Sequence, residues 1–133
     1  MEPYHFELKF EVRDYECDLL GVVNNAVYQN YLEHARHAFI KTKGLDFANL
    51  YQKGYSLVLT KAELDYKYSL RSADQFVVRL RFGFQGKIRF VFEQDIFRLP
   101  DEQLVLSAKM TGTCINSQTG RPFFPEEVRV ALQ

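Results

Sequence analysis

Ala26-Val27-Tyr28-Gln29-Asn30-Tyr31-Leu32-Glu33-His34-Ala35-Arg36-His37-Ala38-Phe39-Ile40-Lys41-Thr42-Lys43 is the one long stretch whose apolar residues recur at helical spacing. Tyr28, Tyr31, Leu32, Ala35 and Phe39 fall at i, i+3, i+4, i+7 and i+11, a single stripe on one face of an α-helix. Asn24 or Asn25 is placed to cap its start, and Gly44 stands where the residue after a helix belongs. A short second helical turn is expected over Asp46–Gln52.

On both sides of this helix the period falls to two. Phe6, Leu8, Phe10 and Val12 alternate with Glu7, Lys9, Glu11 and Arg13, so His5–Arg13 reads as a first strand. Asp14–Asn25 is an irregular loop. Ser56–Tyr68, Gln75–Gln85, Lys87–Arg98 and Gln103–Asn116 read as four further strands, with turns at Gln85-Gly86 and Pro100-Asp101. The tail from Phe123 to Leu132 suits a short helix or an edge segment. The order strand, helix, four strands is an α+β pattern. It leaves the helix one place to bury its stripe, across a concave face of an antiparallel sheet. One helix cannot cover so wide an apolar face, which predicts a second subunit and a homo-oligomer.

With 133 residues the chain has the length of one domain, and no linker, repeat or low-complexity segment divides residues 1–133. The 17 Lys+Arg balance 17 Asp+Glu, which argues against a general nucleic-acid binder but leaves room for a small anionic ligand. Cys17 and Cys114 stand far apart, as ordinary thiols of a reducing compartment would. Met1–Phe10 lacks the basic start and apolar run of a secretory leader, and no apolar stretch is long enough to span a bilayer. A cytoplasmic location with no membrane association is expected. Twelve Phe and eight Tyr suit a strand-rich domain.

The chemistry concentrates in Tyr15-Glu16-Cys17-Asp18-Leu19-Leu20-Gly21-Val22-Val23-Asn24-Asn25-Ala26-Val27-Tyr28. Leu19, Leu20, Val22 and Val23 are expected to desolvate Asp18 in part and raise its basicity. Gly21 permits positive φ or a close backbone approach to a ligand. Directly afterwards come the first free N–H groups of a helix, donors suited to a carbonyl oxygen that becomes negative. Each residue also has a plain reading, Asp18-to-Gly21 as a turn and Asn24-Asn25 as a cap. His34 and His37 lie three apart, but no carboxylate or cysteine completes a metal set, and a solvated surface is expected. His5 carries no signal.

Together these residues resemble the hotdog-fold thioesterases, in particular the 4-hydroxybenzoyl-CoA thioesterase-like family of short acyl-CoA hydrolases. Three stretches carry the likeness: Asp18-x-x-Gly21-Val22-Val23-x-x-x-x-Tyr28-x-x-x-x-Glu33, Tyr66-x-x-Ser69-x-x-x-x-Asp74, and Arg89-Phe90-Val91-Phe92-Glu93-Gln94. The resemblance implies a hotdog fold, a five-stranded antiparallel sheet wrapped around one long helix, in dimers joined edge to edge or tetramers. It places Asp18 on the catalytic carboxylate, as nucleophile or general base, and the Asn25 backbone N–H as oxyanion donor. Gly21, Val22, Val23 and Tyr28 would border the substrate, in a slot between helix and sheet that Gly112 and Cys114 would also line. Tyr28 and Tyr31 serve the helix core as well, and Glu33 is structural. Lys87 and Arg89 would meet the CoA phosphates at a subunit boundary, or else be solvated strand ends. No metal or cofactor is implied.

Two positions depart from the family pattern. Relatives place His, an aromatic residue or Asn where Asn25 stands, so a histidine mechanism in this loop is unavailable here. Ser69 replaces the usual proline. Three other readings share the frame: an acyl-carrier-protein thioesterase, a dehydratase, which wants a His that this loop lacks, and a non-catalytic acyl-CoA or acyl-ACP binding module. A binder would not need the Asp18 carboxylate, whereas a hydrolase would need it in the transition state.

Overall fold

The alternating segments form five strands: β1 (Phe6–Glu11), β2 (Tyr55–Tyr66), β3 (Gln75–Gln85), β4 (Arg89–Leu99) and β5 (Gln103–Asn116). The structure, a computed structural model, describes residues 3–133. The reading of a missing leader therefore lies outside the described residues at Met1 and Glu2. All strand pairs are antiparallel, in the order β1-β3-β4-β5-β2. Both β1 and β2 are edges. Register keeps the two faces distinct: Arg81, Glu93, Lys109 and Glu63 stand side by side across β3, β4, β5 and β2, a row of alternating charge. Shifted by one residue, Phe82, Phe92 and Met110 form the matching apolar row on the opposite face.

The helix lies on that apolar face. α1 (Asn25–Thr42) buries Tyr28, Tyr31, Leu32, Ala35 and Phe39, the whole expected stripe, together with Arg36 and Ile40. Tyr31 meets the Phe76 ring at 4.7 Å, and Phe39 meets Phe82 and Phe92 at 5.7 and 5.9 Å. Each such large apolar side chain contributes roughly 1.5–3 kcal/mol by leaving water, so Phe39→Ala would cost about 3–5 kcal/mol. α2 (Phe47–Gln52) follows, capped by the Asp46 side chain, which accepts from the Ala48 N–H at 2.7 Å. α3 (Glu126–Leu132) settles the tail as a helix, burying Val128 and Leu132.

Boundaries move for local reasons. β1 ends two residues short of Arg13 because the chain then bends into a single 3-10 turn at Asp14–Glu16, while the Val12 N–H donates to Asp74 O at 2.8 Å. Of the two candidate caps Asn24 is the one used: its Oδ1 accepts from the Ala26 N–H at 2.9 Å, which puts Asn25 in the first helical position. Gly112 is buried, and a Cβ there would collide with the Phe90 ring and the Val58 carbonyl oxygen, so Phe90 fills the space that was expected to form part of a slot. No helix among the described residues is long and apolar enough to cross a membrane.

Candidate active site

The loop between β1 and α1 folds back on itself as a miniature hairpin. Cys17 bridges Val23, and the Asp18 N–H donates to Val22 O at 2.9 Å. Asp18–Gly21 is the turn at its tip: the Gly21 N–H donates to Asp18 O at 3.0 Å, and Gly21 takes φ +79°. Inside the turn Asp18 Oδ1 accepts from the Leu20 N–H at 2.8 Å, leaving Oδ2 without a partner among the described residues. This Asx geometry explains the order of residue types. Asp orients its own turn, Gly closes it, and Val23 goes inward to the core. The returning limb is fastened to the β2–β3 connection, where Val22 bridges Arg71 and the Val23 N–H donates to Leu70 O at 2.9 Å.

One expectation fails here. Leu19 and Leu20 do not shelter Asp18: they are 106 % and 82 % exposed, and Asp18 itself is exposed. The two middle residues of a tight turn project away from its first residue, so apolar neighbours in sequence leave the carboxylate in water within one chain. Val23 is buried, but it faces the core.

Four residues after Gly21, α1 begins. The Asn24 cap takes the Ala26 N–H, so the Asn25 N–H remains one of the orphan donors at the positive end of the helix. The Asn25 side chain is exposed, and the residue's backbone carbonyl accepts from Tyr66 Oη at 3.3 Å. Asp18 and Asn25 thus belong to one short hairpin-and-helix unit. Tyr28 holds that unit from below. It is 2 % exposed, its hydroxyl accepts from the Leu70 N–H at 2.9 Å, and burial pushes that hydroxyl's pKa up. Tyr28 is therefore a core residue with no open surface in the single chain.

Lys87 and Arg89 lie elsewhere. Both are exposed at the β3–β4 turn, whereas the Asp18 hairpin packs against Leu70 and Arg71, before the other end of β3. Ten residue steps of β3 separate the two ends, about 33 Å. Within one chain they cannot touch the same small ligand head and thioester. The Lys87 carbonyl accepts a short hydrogen bond from Arg129, which ties α3 to this turn.

Cavities lie on both sides of α1, and the residues that line them do not include Asp18. A groove of about 640 Å³ runs along β1, past Glu16, Tyr31 and His34. A slot of about 320 Å³ between α1 and the sheet is lined by Arg36, Ile40, Leu57, Leu59, Phe90 and others, and none of Gly21, Val22, Val23, Tyr28, Gly112 or Cys114, the residues expected to border the substrate, lines it. His34 is exposed and His37 half-buried against the Phe47 ring at 4.3 Å, with burial lowering the His37 pKa. No group of three metal-ligating side chains occurs among the described residues. Arg71, whose Nη1 lies 4.0 Å from where a Gly21 Cβ would be, escaped the sequence reading, as did the contacts of two residues it quoted, the Tyr66 hydroxyl at Asn25 and the Glu16 carboxylate at Tyr31. Their partners are distant in sequence or, for Glu16, on a different element, so no spacing signals them.

A model of the thioesterase-like superfamily matches residues 12–132. Two chloroplastic acyl-acyl carrier protein thioesterases of Arabidopsis thaliana, ATL3 and ATL2, are 35% identical over 129 residues and 37% identical over 123. The matches cover 97% and 92% of this chain but 67% and 65% of the relatives, so the chain spans about two thirds of their length. The crystal structure of a 1,4-dihydroxy-2-naphthoyl-CoA thioesterase from Synechocystis has a TM-score of 0.90 at 21% identity, over 96% of this chain and 94% of that one, and shares its hotdog fold. The chain belongs to the thioesterase-like superfamily and is, as a member of it, a thioester hydrolase.

Proposed function

We propose that the protein hydrolyses an acyl thioester of a phosphopantetheine carrier, CoA or acyl carrier protein, at the Asp18 turn. The observation that carries this reading is the pairing of an exposed carboxylate with an orphan helix donor in one short unit. Oδ1 of Asp18 is held by the Leu20 N–H, so Oδ2 is the oxygen free to react. It attacks the thioester carbonyl carbon and expels the thiolate, leaving an acyl anhydride that water opens; or it takes a proton from the water that attacks. In both routes the carbonyl oxygen becomes an oxyanion and accepts from the Asn25 N–H, a contact worth roughly 10²–10³ in kcat. The products are a free acid and a thiol. Gly21 and Val22 form the wall beside the reacting carbon, and Val23 anchors that wall in the core.

The site is completed by a second copy of the chain. β2 offers a free edge of 12 residues, and Tyr66 and Tyr68 are exposed at one end of it. Antiparallel pairing of two β2 edges sets the Tyr55 end of one copy beside the Tyr66 end of the other. Because Arg89 pairs with Thr113 and Thr113 with Val58, near the Tyr55 end of β2, that brings the far end of the second copy, with its own Lys87 and Arg89, towards this Asp18. Those cations then suit the carrier's phosphates. Homology favours acyl carrier protein as the carrier, since both plant relatives are acyl-acyl carrier protein thioesterases.

Thiol release from acyl-CoAs and acyl-acyl carrier proteins, by wild type and by Asp18→Asn, tests the proposal. Turnover by wild type and its loss in the variant, with binding retained, support it. Binding of a thioester without hydrolysis by either protein would mean a binding module. Equal turnover by both would remove Asp18 from the chemistry.

A further inference from the structure

We propose that Glu16 is a positioning residue which, anchored on Tyr31, sets the Asp18 turn against the Asn25 N–H. The inference rests on the proposed roles of those two groups. Glu16 touches all three parts that must be in register. Its Oε1 accepts from the Arg13 N–H at 2.8 Å, at the entry to the loop. The same oxygen accepts from Tyr31 Oη at 2.8 Å, on the body of α1. Its backbone carbonyl accepts from the N–H of Asn24, the helix cap, at 3.1 Å.

The anchor is rigid, and it adds a tie to the helix that the loop's other fastenings, the Val22–Arg71 bridge and the Ser72–Asp14 hydrogen bond to the β2–β3 connection, do not supply. Tyr31 is 4 % exposed, wedged between the rings of Phe76 at 4.7 Å, Phe10 at 5.6 Å and Tyr28 at 6.1 Å. Burial and the adjoining carboxylate raise the pKa of its hydroxyl, which stays a proton donor across the working range. Tyr15, Asp18, Leu19 and Leu20, by contrast, are exposed and add no packing that would fix the hairpin. Within the hairpin the two limbs are joined by backbone bonds and by the Val22 N–H, which donates to Asp18 Oδ1 at 3.5 Å. The Glu16–Tyr31 bond is thus the side-chain tie between the strand leading to Asp18 and the helix that supplies the oxyanion donor. A carboxylate oxygen is suited to it, since it accepts both donors at once. Freed of this tie, the turn can drift by an ångström, a displacement that costs on the order of 10²-fold in rate.

The test compares kcat, KM and thermal midpoint for Glu16→Ala, Glu16→Gln, Tyr31→Phe and the double variant Glu16→Ala/Tyr31→Phe, with Asp18→Asn as reference. For Glu16→Ala and Tyr31→Phe we expect kcat to fall roughly 10- to 100-fold with KM changed little. The double variant should be no slower than Glu16→Ala alone, because both changes remove one shared bond. Glu16→Gln, which keeps an acceptor oxygen, should recover most of the turnover. Folded Tyr31→Phe protein with wild-type kcat would overturn the inference, as would losses that multiply in the double variant. Should Asp18→Asn keep wild-type turnover, the catalytic reading falls and this inference with it. An inactive Asp18→Asn beside a fully active Tyr31→Phe removes only the role of Glu16.

Discussion

Arg36 donates from Nη1 to Oε1 of Gln94 at 2.9 Å inside the helix–sheet layer, and Gln94 in turn donates from Nε2 to the Leu32 carbonyl at 3.0 Å. Arg36 is 7 % exposed and Gln94 fully buried, and neither has an ion-pair partner among the described residues. A guanidinium carried into a protein interior must keep its donors occupied, and burial here lowers its pKa because the charged form loses water. One neutral amide therefore orients a buried cation and joins β4 to α1.

Replacing Gln94 by Leu would leave the Arg36 donor without its acceptor. The expected cost is about 2–3 kcal/mol in urea unfolding, more than a surface substitution gives. Arg36→Met together with Gln94→Leu should recover much of that loss, since both polar partners are then gone. A Gln94→Leu protein as stable as wild type would mean that water replaces the amide.

Arg36 also marks the limit of what could be read from the sequence. The stripe from Tyr28 to Phe39 was legible because apolar residues at helical spacing state which face is buried. Arg36 and Ile40 extend that face, but a charged residue in a stripe reads as its edge, and its partner lies 58 positions away. Strand existence was legible through period two, and the strand–helix–four-strand order placed the helix across the sheet; the hotdog architecture was implied by the family resemblance. Asp18 and Asn25 were found as residue types in an unusual order. Their surroundings were not: the turn that exposes Leu19 and Leu20 is set by hydrogen bonds, and hydropathy along the chain does not encode them. The distance from Asp18 to Lys87 was implicit in the length of β3, yet it becomes a constraint only once the sheet order is known.

Two glycines in the sheet should respond oppositely to the same change. A Cβ at Gly112 would strike the Phe90 ring and the backbone oxygen of Val58, and the latter cannot rotate away. Gly112→Ala should destabilise by about 1–3 kcal/mol, as overpacking does. At Gly83 there is open space around the position. Gly83→Ala should be neutral or stabilising by up to about 1 kcal/mol, through reduced freedom of the unfolded chain. Denaturation midpoints of the two variants check this directly, and a Gly112→Ala midpoint at or above wild type would contradict the packing described.

The two cysteines offer a chemical probe of the site. Cys114 is fully buried, and burial pushes its thiol pKa up to about 11. At pH 8 only about one part in 10³ is thiolate, and reagent has no path to it. Cys17 is half-buried and adjoins Asp18. An aromatic disulfide reagent should therefore titrate one thiol in the native protein and two in urea. If hydrolysis occurs at the Asp18 turn, the bulky adduct on Cys17 should abolish it, and reduction should restore it. Cys17→Ser should stay active throughout the same treatment. Full activity of the singly labelled protein would place the reaction away from this hairpin, and equal labelling of both thiols in the native state would show that β5 opens readily.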